Sequence, residues 1–183
     1  LMPEPDRIYL PLGTMGTAVG LTIGLKAAGL KTRVVSVRVA DVKYGNKEKF
    51  VKLFKKTLAL ILSMDSSFPR VEIADDEVDI RHDFFGGQYA RFTEQGMAAL
   101  NLAAKSEGII LDGTYTGKAM AALIDQLRVH GTRNEVILFW NTYNARDFYD
   151  AIEGIDYHQL PGCFHRYFEE ELQPLDRHHS GQH

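Results

Sequence analysis

A short apolar run, a loop with two glycines and a helical pattern follow one another at the start of the chain, and this order favours one kind of fold. The run covers residues 7–12 (RIYLPL), the loop covers Gly13 to Thr17, and the helical pattern covers residues 18–30. A β-branched run at residues 33–39 (RVVSVRV) predicts a second strand. Because a connection of this length joins parallel strands, the segment predicts a βαβ unit.

Predicted helices and strands alternate along the rest of the chain. Apolar residues recur at helical spacing from Phe50 to Ile61, and lysines at most of the other positions indicate a solvated outer face. The further predicted elements are helices at 94–106, capped by Thr93, and 117–130, strands at 109–111 and 135–140, and short strand pieces at 71–73 and 78–80. This alternation predicts a three-layer α/β protein, with a mostly parallel twisted sheet between two layers of helices.

Composition is that of an ordinary soluble globular protein and disfavours several functions. Of the 183 residues, 45% are hydrophobic and 25% are charged, and a formal net charge of -3 supplies no reason to bind nucleic acid or an anionic membrane. Cys163 is the single cysteine, which excludes an internal disulfide and a cysteine-based zinc site and suits a reducing compartment. With no apolar run of roughly 18 residues and no signal-peptide pattern, we expect a cytoplasmic protein without a membrane partner.

Three loops are expected to meet at one edge of the sheet. They are Gly13 to Thr17, Gly113 to Gly117 and Asn141 to Asn144, and each follows a predicted strand. Right-handed crossovers place every strand-to-helix loop on the same edge, and ligands of open α/β sheets bind beyond the carboxyl ends of the strands. The sequence therefore predicts a ligand site among these three loops.

The first loop has the composition of an anion-binding turn. Gly13 and Gly16 allow backbone N–H groups to turn inward, Thr14 and Thr17 add hydroxyl donors, and the following helix directs its positive end at the same place. Because the loop has no lysine or arginine, it favours a phosphate monoester that is part of a larger cofactor. A tight turn that needs glycine for its conformation alone is the other interpretation.

A dinucleotide-binding fold is a rival interpretation of the same βαβ start. Such folds place an acidic residue beyond the second strand, where this chain has Asp41. However, Gly13, Gly16 and Gly20 are spaced G-x-x-G-x-x-x-G, which differs from the G-x-G-x-x-G of the dinucleotide turn. A single phosphate is therefore favoured over NAD, and a dinucleotide-dependent oxidoreductase stays the third hypothesis.

Four motifs resemble the pyridoxal-phosphate-dependent enzymes of fold type II. The motifs are LPLGTMGTAVGL, Gln88-Tyr89 with Thr93 and Gly96, LDGTYTGKAMAALID, and ILFWNTYN. They occur between Asp6 and Asn144 in the family's order, and they are most similar to the branch of 1-aminocyclopropane-1-carboxylate deaminase and D-cysteine desulfhydrase. The resemblance implies a Rossmann-like sheet, as in the large domain of tryptophan synthase beta-like enzymes. It also implies pyridoxal 5'-phosphate as cofactor and a small amino acid as substrate, with deamination or β-elimination as the reaction.

The same resemblance implies roles for individual residues. Tyr115 would lie against cofactor and substrate as a catalytic residue, and Thr116 and Thr142 would lie near the pyridine nitrogen. The residues implied to hold the cofactor phosphate are Gly13, Thr14, Met15, Gly16 and Thr17. The deaminases have a glutamate in place of Thr116, so the threonine is more similar to the desulfhydrases, and Tyr143-Asn144 replaces the family's pair of glycines. Lys118, by contrast, is expected at the surface as a partner of an acidic side chain.

The lysine that binds the coenzyme covalently precedes the phosphate loop in this family, and we expect that lysine-bearing N-terminal half to be missing here. Tyr44-Gly45-Asn46-Lys47 resembles the lysine motif but follows the second strand, so we interpret it as coincidence. The expected organisation is a partial cofactor-binding domain over residues 1–150 and an extension of unknown role over 151–183. We then expect no turnover by this chain alone and self-association as a homo-oligomer. A non-catalytic phosphate- or cofactor-binding module is the alternative.

Overall fold

The computed structural model describes residues 3–131, 134–144, 146, 148–170 and 173–175. The chain divides into two compact units, residues 1–143 and 144–183. The expected boundary at residue 150 therefore falls seven residues inside the second unit. Sheet and candidate site both belong to the first unit.

The first unit is a four-stranded parallel sheet with helices on both faces. Strand β1 is central and pairs with β2 from Arg7 opposite Arg33 to Leu12 opposite Arg38, and with β4 from Arg7 opposite Ile137. The strand order is β3-β2-β1-β4. The elements are β1 Arg7–Leu12, α1 Gly16–Ala27, β2 Arg33–Arg38, α2 Lys47–Met64, β3 Asp79–Arg81, α3 Glu94–Glu107, α4 Thr116–His130 and β4 Ile137–Phe139. This confirms the predicted three-layer α/β fold.

The two faces of the sheet support separate hydrophobic cores, because alternate residues of a strand point to opposite faces. Leu10 and Leu12 of β1 pack with α1 and α2, where Phe50 and Phe54 are buried. On the other face, Tyr9 of β1 packs with α3 and α4. The buried residues of this second core are Tyr9, Val35, Val37, Phe84, Ala99, Ala119, Ala121, Ala122 and Leu123. The small alanines let α4 approach the sheet closely.

Capping side chains set the starts of two helices. The Asn46 side chain accepts a hydrogen bond from the Lys49 N–H at the start of α2. Thr93 accepts one from the Gly96 N–H at the start of α3, which confirms the cap expected there. Gly108, with a φ of 65°, ends α3 in the left-handed conformation that favours glycine.

Two of the predicted strands are wrong. Residues 71–73 and 109–111 have no place in the sheet that the described residues form. In the second segment Leu111 is buried, whereas Ile110 is 62% exposed and its carbonyl accepts a hydrogen bond from the Asn141 side chain at 3.2 Å. A short apolar run fits a buried strand only when a neighbouring strand pairs with it, and periodicity cannot supply that information.

The second unit contains short helices, α5 at Tyr149–Ile152 and α6 at Arg166–Glu169. The Tyr157 ring stacks on His158 and Phe168, with ring centroids 4.1 and 4.5 Å apart. Within the described ranges of the whole chain, no helix combines the length and the apolar character needed to cross a lipid bilayer.

Candidate anion-binding site

A cavity of about 260 Å³ opens at the carboxyl ends of β1 and β4. These strands are neighbours, yet α1 and α4 lie on opposite faces of the sheet. Ligands of open α/β sheets bind at such a switch point. The lining residues are Pro11, Gly13, Thr14, Met15, Gly16, Thr17, Ala18, Tyr115 and Thr142. The structure thus brings together residues from all three loops that the sequence placed at this edge.

The amino end of α1 presents free backbone donors at this cavity. The first intrahelical hydrogen bond runs from the Val19 N–H to the Met15 carbonyl at 2.9 Å. The N–H groups of Gly16, Thr17 and Ala18 come before it and have no acceptor within the helix. The first turn, which the structure describes in full, has neither an acidic side chain nor a side-chain cap. Met15 has a φ of 68°, a left-handed conformation that is uncommon outside glycine and recurs at functional sites. This helix end is therefore suited to an anion.

Gly45 packs against the start of the loop of residues 13–17, a contact that sequence reasoning missed. A Cβ atom added at Gly45 would lie 2.9 Å from Cδ2 of Leu12 and 3.3 Å from the Gly13 carbonyl oxygen. The absence of a side chain thus lets the segment before α2 pack directly on the loop. Asn46 caps α2, and Lys47 is exposed at its start. The only sequence signal was the glycine itself, within a motif that we interpreted as coincidence.

Tyr115 lies at the edge of the cavity with its hydroxyl hydrogen-bonded to that of Tyr89. The two ring centroids are 6.2 Å apart and the rings are tilted by 60°. The hydrogen bond to Tyr89, followed by partial burial, raises the pKa of Tyr115 to about 12. At neutral pH the Tyr115 hydroxyl therefore keeps its proton. Tyr89 entered the sequence argument only as part of a motif, and the structure adds it to the site.

Asp112 holds the backbone that carries Tyr115. Its carboxylate accepts hydrogen bonds from the N–H groups of Thr114, Tyr115 and Thr116, at 2.9, 2.6 and 3.1 Å. These bonds satisfy two donors of the turn before α4 and the first N–H group of the helix, which would otherwise need a ligand or water. Sequence reasoning missed Asp112, although aspartate at the start of a turn commonly bonds the N–H group two residues on.

Thr116 is not among the residues that line the cavity, and its expected place near the pyridine nitrogen stays a prediction. The side chain is fully buried, and its hydroxyl donates to the Asp112 carboxylate at 2.6 Å. The same oxygen accepts from the Asp112 N–H at 2.8 Å. Both hydrogen bonds are internal to the turn before α4. Thr142, the other residue expected near that nitrogen, does line the cavity.

Lys118 is buried, which contradicts the expectation of a surface residue paired with an acidic group. Its exposed fraction is 0%, and its Nζ donates to the Phe85 carbonyl at 2.8 Å. Burial lowers the pKa of Lys118 to about 8, and the Asp112 charge opposes that shift. Gly96 makes the space, because an added Cβ there would lie 3.4 Å from Cγ of Lys118. Lys118 does not line the cavity.

Larger grooves lie elsewhere on the first unit, away from the carboxyl ends of the strands. One of about 510 Å³ lies between α2 and residues 70–73, and one of about 420 Å³ lies at the amino end of β2. Neither is at the carboxyl ends of the strands, where α/β proteins bind ligands. Asp41, the candidate ribose ligand of a dinucleotide site, accepts a hydrogen bond from the Lys43 N–H. The part of the chain that the structure describes holds no group of three His, Cys, Asp or Glu placed to bind a metal.

Comparison with known proteins gives concordant matches. Residues 1–142 match the family described as pyridoxal-phosphate dependent enzyme. D-cysteine desulfhydrase of Serratia proteamaculans (strain 568) is 36% identical over 141 residues, which cover 76% of this chain and 40% of the relative. D-cysteine desulfhydrase of Klebsiella pneumoniae (strain 342) is 33% identical over 143 residues, covering 78% of this chain and 41% of that protein.

A solved structure is similar as well. The crystal structure of an ACC deaminase homologue superposes with a TM-score of 0.66 and 27% identity, covering 82% of this chain and 44% of the other. This chain therefore spans well under half the length of the proteins it matches.

Proposed function

The chain belongs to the pyridoxal-phosphate dependent enzyme family, and from this premise we propose that its first unit holds the coenzyme phosphate in an enzyme acting on a small amino acid. The proposed reaction is β-elimination or deamination, as in D-cysteine desulfhydrase and 1-aminocyclopropane-1-carboxylate deaminase. The observation that carries the proposal is the uncapped amino end of α1, which opens into a cavity that Tyr115 and Thr142 also line.

The residues at the cavity fit a phosphate monoester. Cβ atoms added at Gly13 or Gly16 would meet no atom within 4 Å, so the loop backbone borders open space. The donors available there are backbone N–H groups and the hydroxyls of Thr14 and Thr17. At about 260 Å³ the cavity is smaller than the roughly 300–1,000 Å³ of complete small-molecule sites, which supports a site for one end of the coenzyme.

Tyr115 is the proposed catalytic residue. When bound, the coenzyme supplies a ring that withdraws electrons from the substrate. The Tyr115 phenol, with its pKa raised to about 12, is protonated at neutral pH and positioned to donate a hydrogen bond at the cavity edge. The bonded hydroxyl of Tyr89 holds the Tyr115 phenol in place at this edge.

Two observations favour elimination from a D-cysteine-like substrate over opening of a cyclopropane ring. The curated relatives that carry the name D-cysteine desulfhydrase are 33–36% identical to this chain. In addition, the position after Tyr115 holds Thr116, which has no charge to keep a pyridine nitrogen protonated and whose hydroxyl is bonded to Asp112. A weaker electron sink suits loss of a group from the β-carbon.

The cavity lining contains no lysine among the residues described. Lys118 is bonded to the Phe85 carbonyl and Lys47 lies at the exposed start of α2. We therefore propose that the coenzyme-binding lysine comes from a region outside these 183 residues, and that they bind phosphate without turnover. A D-cysteine assay of the chain with coenzyme should show product at background, and sustained product formation would refute this part.

The face around β4 is the proposed contact of that lysine-bearing region. In the described sheet β4 pairs with β1 only, so one edge of β4 is open. Several apolar side chains in the neighbouring segments are at least 38% exposed, namely Ile109, Ile110, Leu127, Val129, Val136 and Trp140. Exposed strand edges and apolar patches promote association. Without the lysine-bearing region we expect this face to drive self-association of the chain.

Calorimetric titration tests the phosphate site directly. Pyridoxine 5'-phosphate is the suitable probe because it carries the phosphate and ring without an aldehyde that reacts with surface lysines. Thr17→Glu places a negative charge in the first turn of α1 and should weaken binding at least tenfold. Ala59→Glu adds the same charge on the exposed face of α2 and should leave binding unchanged. Equal binding of pyridoxine without phosphate, or equal losses in both variants, would refute the proposal.

A further inference from the structure

The loop that carries Tyr89 has three residues with positive φ, a backbone conformation that needs support from neighbouring elements. Within residues 84–91, Gly86, Gly87 and Ala90 have φ values of 80°, 81° and 63°. A left-handed alanine costs of order 1–3 kcal/mol and persists where surrounding contacts determine it. The position of the Tyr89 hydroxyl therefore depends on what holds this loop.

Phe85 is the residue of this loop that side chains from α4 and β2 contact. The Nζ atom of Lys118, from α4, donates to the Phe85 carbonyl at 2.8 Å and lies 5.8 Å from the centroid of its ring. The Arg38 guanidinium, at the end of β2, lies 4.4 Å from the same centroid. Arg38 is itself held by hydrogen bonds to the Ala40 carbonyl and to His82. Two cations thus fix one aromatic residue of the loop.

Lys118 is well placed to connect this loop with the other tyrosine. It lies three residues after Tyr115, so the two positions share one side of the helix start. Its side chain is fully buried and fits where Gly86 and Gly96 have no side chains: Cβ atoms added there would lie 3.9 Å from Nζ and 3.4 Å from Cγ. The Lys118 ammonium group thus connects α4 to the loop that contains Tyr89.

We propose that Lys118 is a positioning residue, whose buried ammonium holds the 84–91 loop against α4 so that the hydroxyls of Tyr89 and Tyr115 stay in contact at the cavity edge. This inference rests on the proposed function only in placing the tyrosine pair at the active site. The contact itself requires no bound coenzyme.

The charge of Lys118 makes this connection sensitive to pH. Burial lowers the Lys118 pKa to about 8, and Asp112, before α4, is the charged group that opposes the shift. The other groups near it are Arg38, 4.4 Å from the Phe85 ring centroid, His82 bonded to Arg38, and the uncharged Thr93 and Gly96. Burial and Arg38 lower the His82 pKa below its usual 6.5, so His82 is already neutral when Lys118 titrates. Above pH 8 a weaker neutral hydrogen bond replaces the charge-assisted one.

Carbon-13 NMR of the tyrosine ring carbons in the full chain tests the proposal between pH 6.5 and 9.5. Tyr89→Phe and Tyr115→Phe assign the two signals. In the unmodified chain both signals should shift with a midpoint near pH 8, and the nitrogen-15 signal of the Lys118 amine should titrate with them. In Lys118→Met the transition should vanish, while Lys105→Met, an exposed lysine of α3, should keep it. The signal of Tyr9, buried in β1, reports whether each variant folds.

Two results would overturn the proposed role of Lys118. Titration of the Lys118 amine without a change at either tyrosine would overturn the proposal, as would a tyrosine transition that persists in folded Lys118→Met. If Lys118→Met fails to fold, the coincidence of the lysine and tyrosine midpoints in the unmodified chain decides. Loss of the phosphate site would show in the calorimetric experiment and leave this titration unchanged, so the two proposals can fail independently.

Discussion

The amino ends of α1 and α4 both reach the same cavity, but their backbone donors have different fates. At α1 the N–H groups of the first turn have no side-chain cap. At α4, Asp112 accepts hydrogen bonds from the Thr116 N–H through its carboxylate and from the Gly117 N–H through its carbonyl oxygen. One helix end is thus left available for an anion, whereas the other is satisfied internally and presents only the Tyr115 side chain. We therefore propose that two similar helix ends have different roles, anion binding at α1 and positioning of Tyr115 at α4.

Removal of the Asp112 carboxylate before α4 should have the largest effect on stability. Asp112→Ala deletes the acceptor of three backbone N–H groups and of the Thr116 hydroxyl. We expect a loss of about 2–4 kcal/mol in the free energy of unfolding, since caps and charged hydrogen bonds contribute amounts of this order. Urea denaturation measures it. Asp112→Asn keeps one acceptor oxygen and should lose less. Equal stability of Asp112→Ala and the unmodified chain would show that the carboxylate does not stabilise this turn.

A side chain at Gly45, which packs on the loop of residues 13–17, should have a smaller effect on stability but should weaken phosphate binding. Gly45→Ala places a methyl group 2.9 Å from Leu12 and should cost about 1–3 kcal/mol, as overpacking of a buried site does. Binding of pyridoxine 5'-phosphate should weaken as the loop shifts. Gly20→Ala, inside α1 with open space around it, is the matched control and should stabilise the helix slightly. If Gly45→Ala binds normally, the loop does not depend on this contact.

Separating the tyrosine hydroxyls should change stability least. Because the Tyr115 pKa is raised to about 12 in the folded chain, the pair stabilises the fold below pH 10, and this contribution is lost as pH rises from 10 towards 12. Partial exposure of Tyr115 keeps the contribution below about 1 kcal/mol. In Tyr89→Phe the Tyr115 pKa should fall towards 10, as followed by phenolate absorbance, with Tyr44→Phe as an exposed control. An unchanged titration would mean that Tyr89 does not hold that proton.

The sequence predicted the central part of the fold because strong local patterns agree with the tertiary contacts there. The run at residues 7–12 became β1 with the same bounds, and the cap at Thr93 was recognisable from its residue type and position. Topology also predicted the meeting of three loops, which needs only the handedness of crossovers. The roles of the residues gathered there stay predictions.

What the sequence did not reveal depends on neighbours far along the chain. Lys118 is buried because Gly96 and Gly86 leave room for it and Phe85 offers a carbonyl, and none of these is visible in the local pattern. Thr116 is withdrawn from the cavity by a side chain four residues earlier. The apolar run at 109–111 lacks the partner strand that would make it part of the sheet.

The donors at the α1 end have one more consequence. Peptide N–H groups and threonine hydroxyls do not titrate in the physiological range, unlike a histidine or a buried lysine. A phosphate held by them alone would be retained equally well in mildly acidic and mildly alkaline surroundings, apart from the second ionisation of the phosphate itself. Among the described residues near this cavity, pH sensitivity would then originate at Tyr115 and Lys118, so the hold on the phosphate would stay constant while the tyrosine positions change.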